Sequence, residues 1–256
     1  MKLLRGARSG LAFVLNMLLV LGAELYQRLV VWPLIQLSPG RRDALMWPLM
    51  RFLSRSILLL IRFGGASARR VGSVPDDQPA LVLMNHQSVI DIPVLYTCFG
   101  LRLPIVVTRK RYGRGIPMVS LMIRILDYPL VDPEHDPRDA IALLQKAGRK
   151  EASSVLLFPE GHRSRDGEIG RFETAGVRVV LGQKRRPVYL IVTDGYWMCR
   201  RLVDFAFNLH RIRGETSVLG PFQPPVSAAE IPGFAEHLRE VMVEHLHQGR
   251  QAQRLV

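Results

Sequence analysis

The sequence predicts an α/β domain with a mostly parallel central sheet covered by helices, preceded by an N-terminal helical hairpin that associates with a membrane. Apolar runs of strand length recur from residue 80 onward and alternate with stretches of helical periodicity. These runs are apolar throughout, which is typical of parallel strands buried on both faces. The preceding residues are long, apolar and helical in pattern. We therefore expect residues 1–63 to form the membrane-associated region and residues 64–256 the α/β domain.

The N-terminal apolar run is too short to cross a bilayer as one helix. It extends from Leu11 to Ala23, whereas a membrane-spanning helix needs about 20 residues. Glu24 and Arg28 then interrupt it, and burying either charge in mid-membrane costs roughly 2 to 3 kcal/mol or more. We expect two short helices, within residues 11–37, that lie in or dip into one leaflet. An ordinary hairpin of core helices is the alternative.

The charge balance favours a polyanionic partner. The chain has 35 Lys and Arg residues against 22 Asp and Glu residues, a formal net charge of +13. Such an excess suits an anionic membrane surface or nucleic acid. The sequence contains no recognised RNA or DNA module and only 7% aromatic residues, so we expect no nucleic-acid partner. Lys2, Arg5 and Arg8 are expected to keep the N-terminus at the cytoplasmic face of the cell membrane.

The α/β region can be divided into elements in chain order. A second helical pattern ends at Gly64 and Gly65, where the region rich in strands begins. Asp136 and Pro137 give a good start signal for a later helix. The predicted strands are ALVLM, LPIVVT, YPLVD, SVLLF and PVYLIV, followed later by HRIRGETSVLGPF. The predicted helices are IPMVSLMIRIL, PRDAIALLQKAGRK, ETAGVRVVLGQK and a C-terminal AAEIPGFAEHLREVMVEHLHQ.

The segment NHQSVID, residues 85–91, follows the first of these strands and predicts a catalytic pair. On a regular helix, the five-residue spacing would turn His86 and Asp91 about 140° apart. If the helix begins near Gln87 or Ser88, Asp91 lies one turn in and reaches back to the imidazole. A neutral imidazole held by a carboxylate is a competent general base near neutral pH. Ser88 is expected to cap the helix, and a structural histidine is the alternative.

Two further motifs are expected at the same edge of the sheet, because sites in open α/β sheets form beyond the carboxyl ends of strands. The first, TRKRYGRGIP, gathers four cations between residues 109 and 114. The second, FPEGHRSRDG, places Glu160, Arg163 and Arg165 in a loop. A base beside cations suits an anionic acceptor held against the base. A solvated surface is the alternative for the first cluster.

The sequence predicts neither a metal site nor a serine nucleophile of the hydrolase type. Cys98 and Cys199 lack metal-ligand spacing, and we expect both to pack in the core. The motifs H-E-x-x-H and G-x-S-x-G do not occur. We therefore expect chemistry that needs no metal ion or cofactor.

Together, the histidine motif and the FPEG motif resemble the glycerolipid acyltransferase family typified by 1-acylglycerol-3-phosphate acyltransferase. The resemblance covers about residues 72–224 and implies a glycerol-3-phosphate acyltransferase-like fold. It implies that His86 deprotonates the acceptor hydroxyl and that Asp91 orients His86. The hydroxyl would then attack the thioester of acyl-CoA or acyl carrier protein directly. The residues implied to bind the acceptor headgroup are Lys110, Glu160, Gly161, Arg163 and Arg165.

The chain departs from the family pattern at two positions that concern the acceptor. The family usually has Thr where this chain has His162, and an arginine where it has Pro133. Either Lys110, Arg163 or Arg165 compensates for that arginine, or the acceptor carries no phosphomonoester. The expected activity is conversion of 1-acylglycerol-3-phosphate to phosphatidic acid. The alternatives are acylation of a lyso-aminolipid or lysophosphoglyceride, hydrolysis of a thioester, and a basic membrane- or nucleic-acid-binding protein without chemistry.

Overall fold

A computed structural model describes the backbone of residues 2–254 and the side chains of residues 6–252. Its helices are α1 (Lys2–Tyr26), α2 (Trp32–Leu37), α3 (Arg42–Phe63), α4 (Asp91–Cys98), α5 (Val119–Ile125), α6 (Pro137–Arg149), α7 (Thr174–Gln183), α8 (Phe205–Asn208) and α9 (Ile231–Arg254). Its strands are β1 (Ser67–Val71), β2 (Leu81–Met84), β3 (Ile105–Val106), β4 (Thr108–Arg109), β5 (Leu130–Val131), β6 (Val155–Leu157), β7 (Val188–Asp194) and β8 (Arg213–Phe222).

The central sheet has the strand order β1-β8-β7-β2-β6-β3 within the described part of the chain. Strands β7, β2, β6 and β3 are mutually parallel, and β8 runs antiparallel to β7. Every residue of β2 and β6 is buried, as the continuous apolar runs predicted. The predicted α/β fold with a mostly parallel sheet is therefore confirmed. The carboxyl ends of the parallel strands all meet at one edge, where the three motifs lie.

Two predicted strands depart from this sheet. The run LPIVVT divides into β3 and β4, and β4 pairs with β5 in a separate two-stranded sheet. β6 ends at Leu157. The chain after β3 therefore makes a bond from Val107 N to Leu156 O and then has no further neighbour in β6. The chain then turns to Pro129 O and the YPLVD segment. The prediction that YPLVD lies in the central sheet was wrong for this reason.

The N-terminal region is a hairpin, but its arms differ from those predicted. α1 continues through a π-helical segment, Gln27–Val31, directly into α2. Residues 11–37 thus lie on one long helix rather than two short ones, and α3 forms the second arm. Gly6–Leu37 and Pro39–Phe63 are both long and apolar enough to cross a membrane, by length and composition alone. Arg8 donates to Phe63 O at 2.7 Å, which links the two arms.

Glu24 lies within the helix, and both of its carboxylate oxygens have partners. It pairs with Arg28 one turn later, and its second carboxylate oxygen accepts from Met118 N at 2.7 Å. The buried Gln27 amide, in the orientation that satisfies it, bonds to Met118 O and Met122 N at 3.2 Å each. Glu24 and Gln27 therefore attach the first arm of the hairpin to the start of α5.

The outward face of α1 and of the π-helical segment that follows it is apolar and exposed. Leucines 18, 21, 25 and 29 retain between 50 and 72% of their accessible surface. A contiguous apolar face of this kind marks an interaction surface rather than ordinary solvent-facing helix. The side chains of Lys2 and Arg5 lie outside the described residues. The division of the chain at residue 63 stays a prediction.

Candidate active site

The loop between β2 and α4 brings His86 and Asp91 together. β2 ends at Met84, and α4 begins at Asp91 itself rather than near Gln87 or Ser88 as predicted. Asp91 nevertheless reaches back across the loop, and its Oδ2 lies 2.7 Å from His86 Nδ1. The turn that precedes the helix, rather than the helix, therefore supplies the geometry.

Asp91 is fully buried and one of its oxygens receives three donors. Oδ2 also accepts from the backbone N–H groups of Gln87 at 2.6 Å and Ser88 at 2.8 Å. Within residues 6–252, Oδ1 has no hydrogen-bond partner. Because an ionised carboxylate only accepts, a neutral imidazole paired with it carries its proton on Nδ1 and keeps a free lone pair on Nε2. This tautomer is the one that a general base requires.

The His86 ring is stacked on an aromatic side chain and is partly exposed to solvent. Its ring stacks on Phe158, with centroids 4.2 Å apart and planes inclined by 29°. Its side chain is 16% exposed, whereas the motif's other polar side chains, at positions 85, 87, 88 and 91, are buried. The imidazole is thus the group of this motif that an incoming molecule can reach.

The other polar residues of the motif fasten the loop to β7 and the chain that follows it. Asn85 exchanges hydrogen bonds with the backbone of Thr193, at 2.8 Å to the carbonyl and 2.7 Å from the amide. Gln87 accepts from Tyr196 N at 3.1 Å and donates to Gly167 O at 3.0 Å. A buried amide with both ends satisfied rigidifies its surroundings. These residues position the base.

Ser88 has a different role from the predicted helix cap. Its hydroxyl donates to Cys199 O and accepts from Ile90 N at 3.3 Å. It therefore lies before the helix, since Ile90 is the residue that precedes α4. Cys199 and Cys98 are both buried and unpaired, as predicted.

The FPEG loop packs against the backbone on both sides of His86. Glu160 is buried; its Oε1 accepts from His86 N at 2.9 Å and its Oε2 from Gly170 N at 2.9 Å. Ser164 N donates to His86 O at 2.7 Å. The carboxylate thus joins three stretches of chain. Its predicted contact with the acceptor headgroup stays a prediction.

Arg109, from the basic cluster, also contacts this loop. Its guanidinium donates to Gly161 O at 3.2 Å and to Glu134 Oε1 at 3.0 Å. Gly161 has φ +70°, a conformation that favours glycine, and a Cβ there would lie 3.4 Å from the guanidinium. Sequence reasoning counted Arg109 in the basic cluster but left it out of the predicted binding set. Its position at the end of a strand was the available signal.

The other predicted cations lie in different settings. Arg163 donates to Arg200 O at 3.3 Å, and its Nε is buried with no partner among residues 6–252. Lys110 and Arg165 are exposed. Their binding of an acceptor headgroup stays a prediction.

Comparison with known proteins identifies related sequences and a related fold. Residues 67–192, which include all three motifs, match the family model described as Acyltransferase. The chain carries an acyltransferase-family domain. The whole chain superposes on the crystal structure of the 1-acyl-sn-glycerophosphate acyltransferase of Thermotoga maritima with a TM-score of 0.70 at 19% identity. That match covers 96% of this chain and 99% of the other, and it shows that the fold is shared.

Curated relatives also match this chain. The chloroplast 1-acyl-sn-glycerol-3-phosphate acyltransferase of Arabidopsis thaliana is 33% identical over 106 residues, which are 40% of this chain and 28% of that protein. The 1-acyl-sn-glycerol-3-phosphate acyltransferase of Limnanthes douglasii is 24% identical over 85% of this chain and 77% of its own length. The matched region is thus less than a third of the Arabidopsis protein and most of the Limnanthes protein.

Burial raises the pKa of Glu160 in the acyltransferase domain, against the opposing effect of the N–H groups of Gly170 and His86. A raised carboxyl pKa means that the folded state binds the proton more tightly than the unfolded state. The stability that Glu160 contributes is therefore greatest below its ordinary pKa of 4.5 and is lost as the pH rises through the folded pKa.

We expect Glu160→Gln to remove this pH dependence, because an amide does not titrate. The difference in free energy of unfolding, wild type minus variant, should fall as the pH rises above about 4.5. Denaturant unfolding at a series of pH values measures it. A difference that stays constant, or grows with pH, contradicts the assignment.

Proposed function

We propose that this chain is an O-acyltransferase that moves a fatty acyl group from an acyl thioester to the free hydroxyl of a lysolipid. We propose 1-acylglycerol-3-phosphate as the acceptor, phosphatidic acid as the product, and acyl-CoA or acyl carrier protein as the donor, without a metal or other cofactor. The observation that carries the proposal is the 2.7 Å contact between His86 Nδ1 and the buried Asp91, with the His86 side chain itself partly exposed, in an acyltransferase domain.

The proposed reaction is a direct transfer. His86 Nε2 accepts the proton of the acceptor hydroxyl while the hydroxyl oxygen bonds to the thioester carbonyl carbon. The carbon–sulfur bond then breaks, and the departing thiolate takes the proton from the imidazolium. Asp91 stabilises the imidazolium in between. An acyl-serine intermediate is disfavoured, because the Ser88 hydroxyl is buried and already donates to Cys199 O.

We propose that Arg109 supplies positive charge for the acceptor's phosphate. It would replace the arginine that the family usually has where this chain has Pro133. Arg109 donates to the carbonyl of Gly161, and the neighbouring Glu160 accepts from the backbone N–H of His86. The Arg109 side chain is 30% exposed. Its guanidinium needs only to exchange the exposed Glu134 carboxylate for a phosphate oxygen. A charged hydrogen bond of this kind contributes about 1.5 to 3 kcal/mol.

Arg109→Gln should therefore raise the KM for lysophosphatidic acid about 10- to 100-fold, and leave the KM for the acyl donor nearly unchanged. Arg114→Gln is the matched control, since Arg114 is exposed in the same cluster. Steady-state kinetics on both variants measure the effect. Equal KM values for Arg109→Gln and wild type would show that the phosphate lies elsewhere.

The function itself is tested by incubating the purified chain with acyl-CoA and a panel of lysolipids. Thiol release that requires lysophosphatidic acid, with phosphatidic acid as the product, supports the proposal. Release with another lysolipid alone supports the alternative acceptors, which Pro133 and the engagement of Arg163 with Arg200 O favour. Release without any acceptor identifies a thioester hydrolase and excludes transfer.

We also propose that the chain lies on the cytoplasmic face of the cell membrane, on an anionic leaflet. The exposed apolar face of α1 and the net charge of +13 support this placement. A lipid acceptor requires that the active site lies near the bilayer surface.

A further inference from the structure

A second apolar surface lies outside the N-terminal hairpin. The segment that follows β7, residues 200–213, carries three large apolar side chains that point outward. Leu202 is 49% exposed, Val203 66% and Phe207 72%. The proposed chemistry uses none of them, and side chains of this size are normally buried.

This segment is held firmly beside the hairpin. Phe205 and Leu209 anchor it in the core. α8 packs against α1, where a Cβ on Gly10 would lie 3.8 Å from Ala206 O. A Cβ on Gly64, at the end of α3, would come within 2.6 Å of the Leu209 side chain. The segment thus lies beside the first turns of α1 and the end of α3.

The segment is also strongly basic. It contains four arginines, at positions 200, 201, 211 and 213, against the single acid Asp204. Among the side chains that the structure describes, none of these arginines forms an ion pair. The Asp204 carboxylate accepts from Arg201 N at 2.7 Å, so it is already engaged with the backbone. Unpaired cations around apolar side chains suit an anionic lipid surface.

We propose that residues 200–213 form a second membrane contact, which places Leu202, Val203 and Phe207 at the headgroup boundary of the leaflet that the hairpin enters. The arginines then lie among anionic headgroups. A bilayer is favoured over a protein partner because the segment packs against α1, which also exposes apolar side chains, and because its unpaired arginines complement anionic headgroups.

This contact acts on the active site through two carbonyl groups. Cys199 O accepts from Ser88 Oγ in the histidine loop, and Arg200 O accepts from Arg163 in the FPEG loop. When the leaflet holds the segment, it also holds the two loops that position His86. The catalytic base is thereby fixed relative to the lipid surface that carries the substrate.

The test uses the full chain with vesicles of phosphatidylcholine containing phosphatidylglycerol. The variants Phe207→Cys and Val226→Cys are labelled with a polarity-sensitive thiol fluorophore. Val226 is 82% exposed but follows β8, whose far end lies at the opposite edge of the sheet from residue 213. Cys98 and Cys199 are buried, and labelling of the wild type measures their background.

We expect the emission of labelled Phe207→Cys to shift to the blue when vesicles are added, and that of labelled Val226→Cys to stay constant. If protein that co-sediments with vesicles shows no shift at position 207, the proposal is overturned and the surface serves a different partner. The readout is independent of activity, so its failure is distinct from a failure of the proposed function.

A second measurement examines the charges. Each arginine near an anionic surface strengthens binding about fivefold. Arg201→Gln combined with Arg211→Gln should therefore weaken binding to anionic vesicles at least tenfold, and change binding to pure phosphatidylcholine vesicles little. An equal loss on both kinds of vesicle, or no loss on either, contradicts the proposed contact.

Discussion

Replacing His86 with Asn should lower the rate of acyl transfer by about 10²- to 10⁴-fold. The amide side chain has no basic nitrogen to accept the hydroxyl proton, although it retains much of the contact with Phe158. His86 is partly exposed, and its side chain makes a single hydrogen bond to the rest of the described chain, so the fold should tolerate the change. The kcat for thiol release from acyl-CoA with saturating lysophosphatidic acid is the quantity to measure.

The chain contains its own control for this experiment. His135 Nδ1 lies 2.9 Å from Asp132 Oδ1, so the same two groups are paired on the surface. Asp132 raises the pKa of His135, but no loop encloses this pair, and the imidazole is 80% exposed. His135→Asn should leave kcat unchanged. If His86→Asn retains transfer within tenfold of the wild type, the general-base role is wrong.

The pairing of His86 with Asp91 could be predicted because it depends on local sequence. A strand followed by a turn and a helix fixes the positions of residues only five apart. The start of α4 was predicted three or four residues too early, because the polar residues after His86 resemble a helix cap. In the structure their side chains instead bind residues distant in the chain, such as Gly167 and Cys199. Local propensity therefore gave the correct pair and the wrong helix boundary.

The contacts that surround the pair could not be predicted from the sequence alone. Glu160 reaches the backbone of a residue 74 positions earlier, and Glu24 reaches Met118 across 94 positions. Hydrophobic periodicity specifies which face of an element is buried but not which elements become neighbours. The same limit explains the separation of β4 and β5 from the central sheet, because strand patterns do not specify a partner.

Polar residues within apolar segments have two meanings in this chain. Glu24 looked like an obstacle to membrane insertion, but both it and Gln27 bond to the backbone at the start of α5. The hairpin is therefore attached to the acyltransferase domain at its polar positions and exposes its apolar ones. This arrangement connects the exposed apolar face of the hairpin to the domain that holds the proposed active site.

Replacing Asp91 with Asn should damage both catalysis and stability. One oxygen of Asp91 receives His86 Nδ1–H and two backbone N–H groups, and an amide oxygen retains these bonds without their negative charge. Loss of the charge removes the group that stabilises the imidazolium. The new NH₂ group takes the position of Oδ1, which has no partner among residues 6–252, and an unpaired buried donor costs about 1 to 3 kcal/mol.

We therefore expect Asp91→Asn to lower kcat by about 10²-fold or more, with the KM for acyl-CoA nearly unchanged, and to lower the free energy of unfolding by about 1 to 3 kcal/mol. Asp91→Ala should cost more stability, since it leaves both backbone N–H groups unpaired. Asp132→Asn is the matched control, because that carboxylate lies near the surface. A folded Asp91→Asn protein with wild-type kcat would show that Asp91 only supports the loop. A loss of kcat in a protein that unfolds at the wild-type denaturant concentration would show that the charge, rather than the packing, serves the reaction.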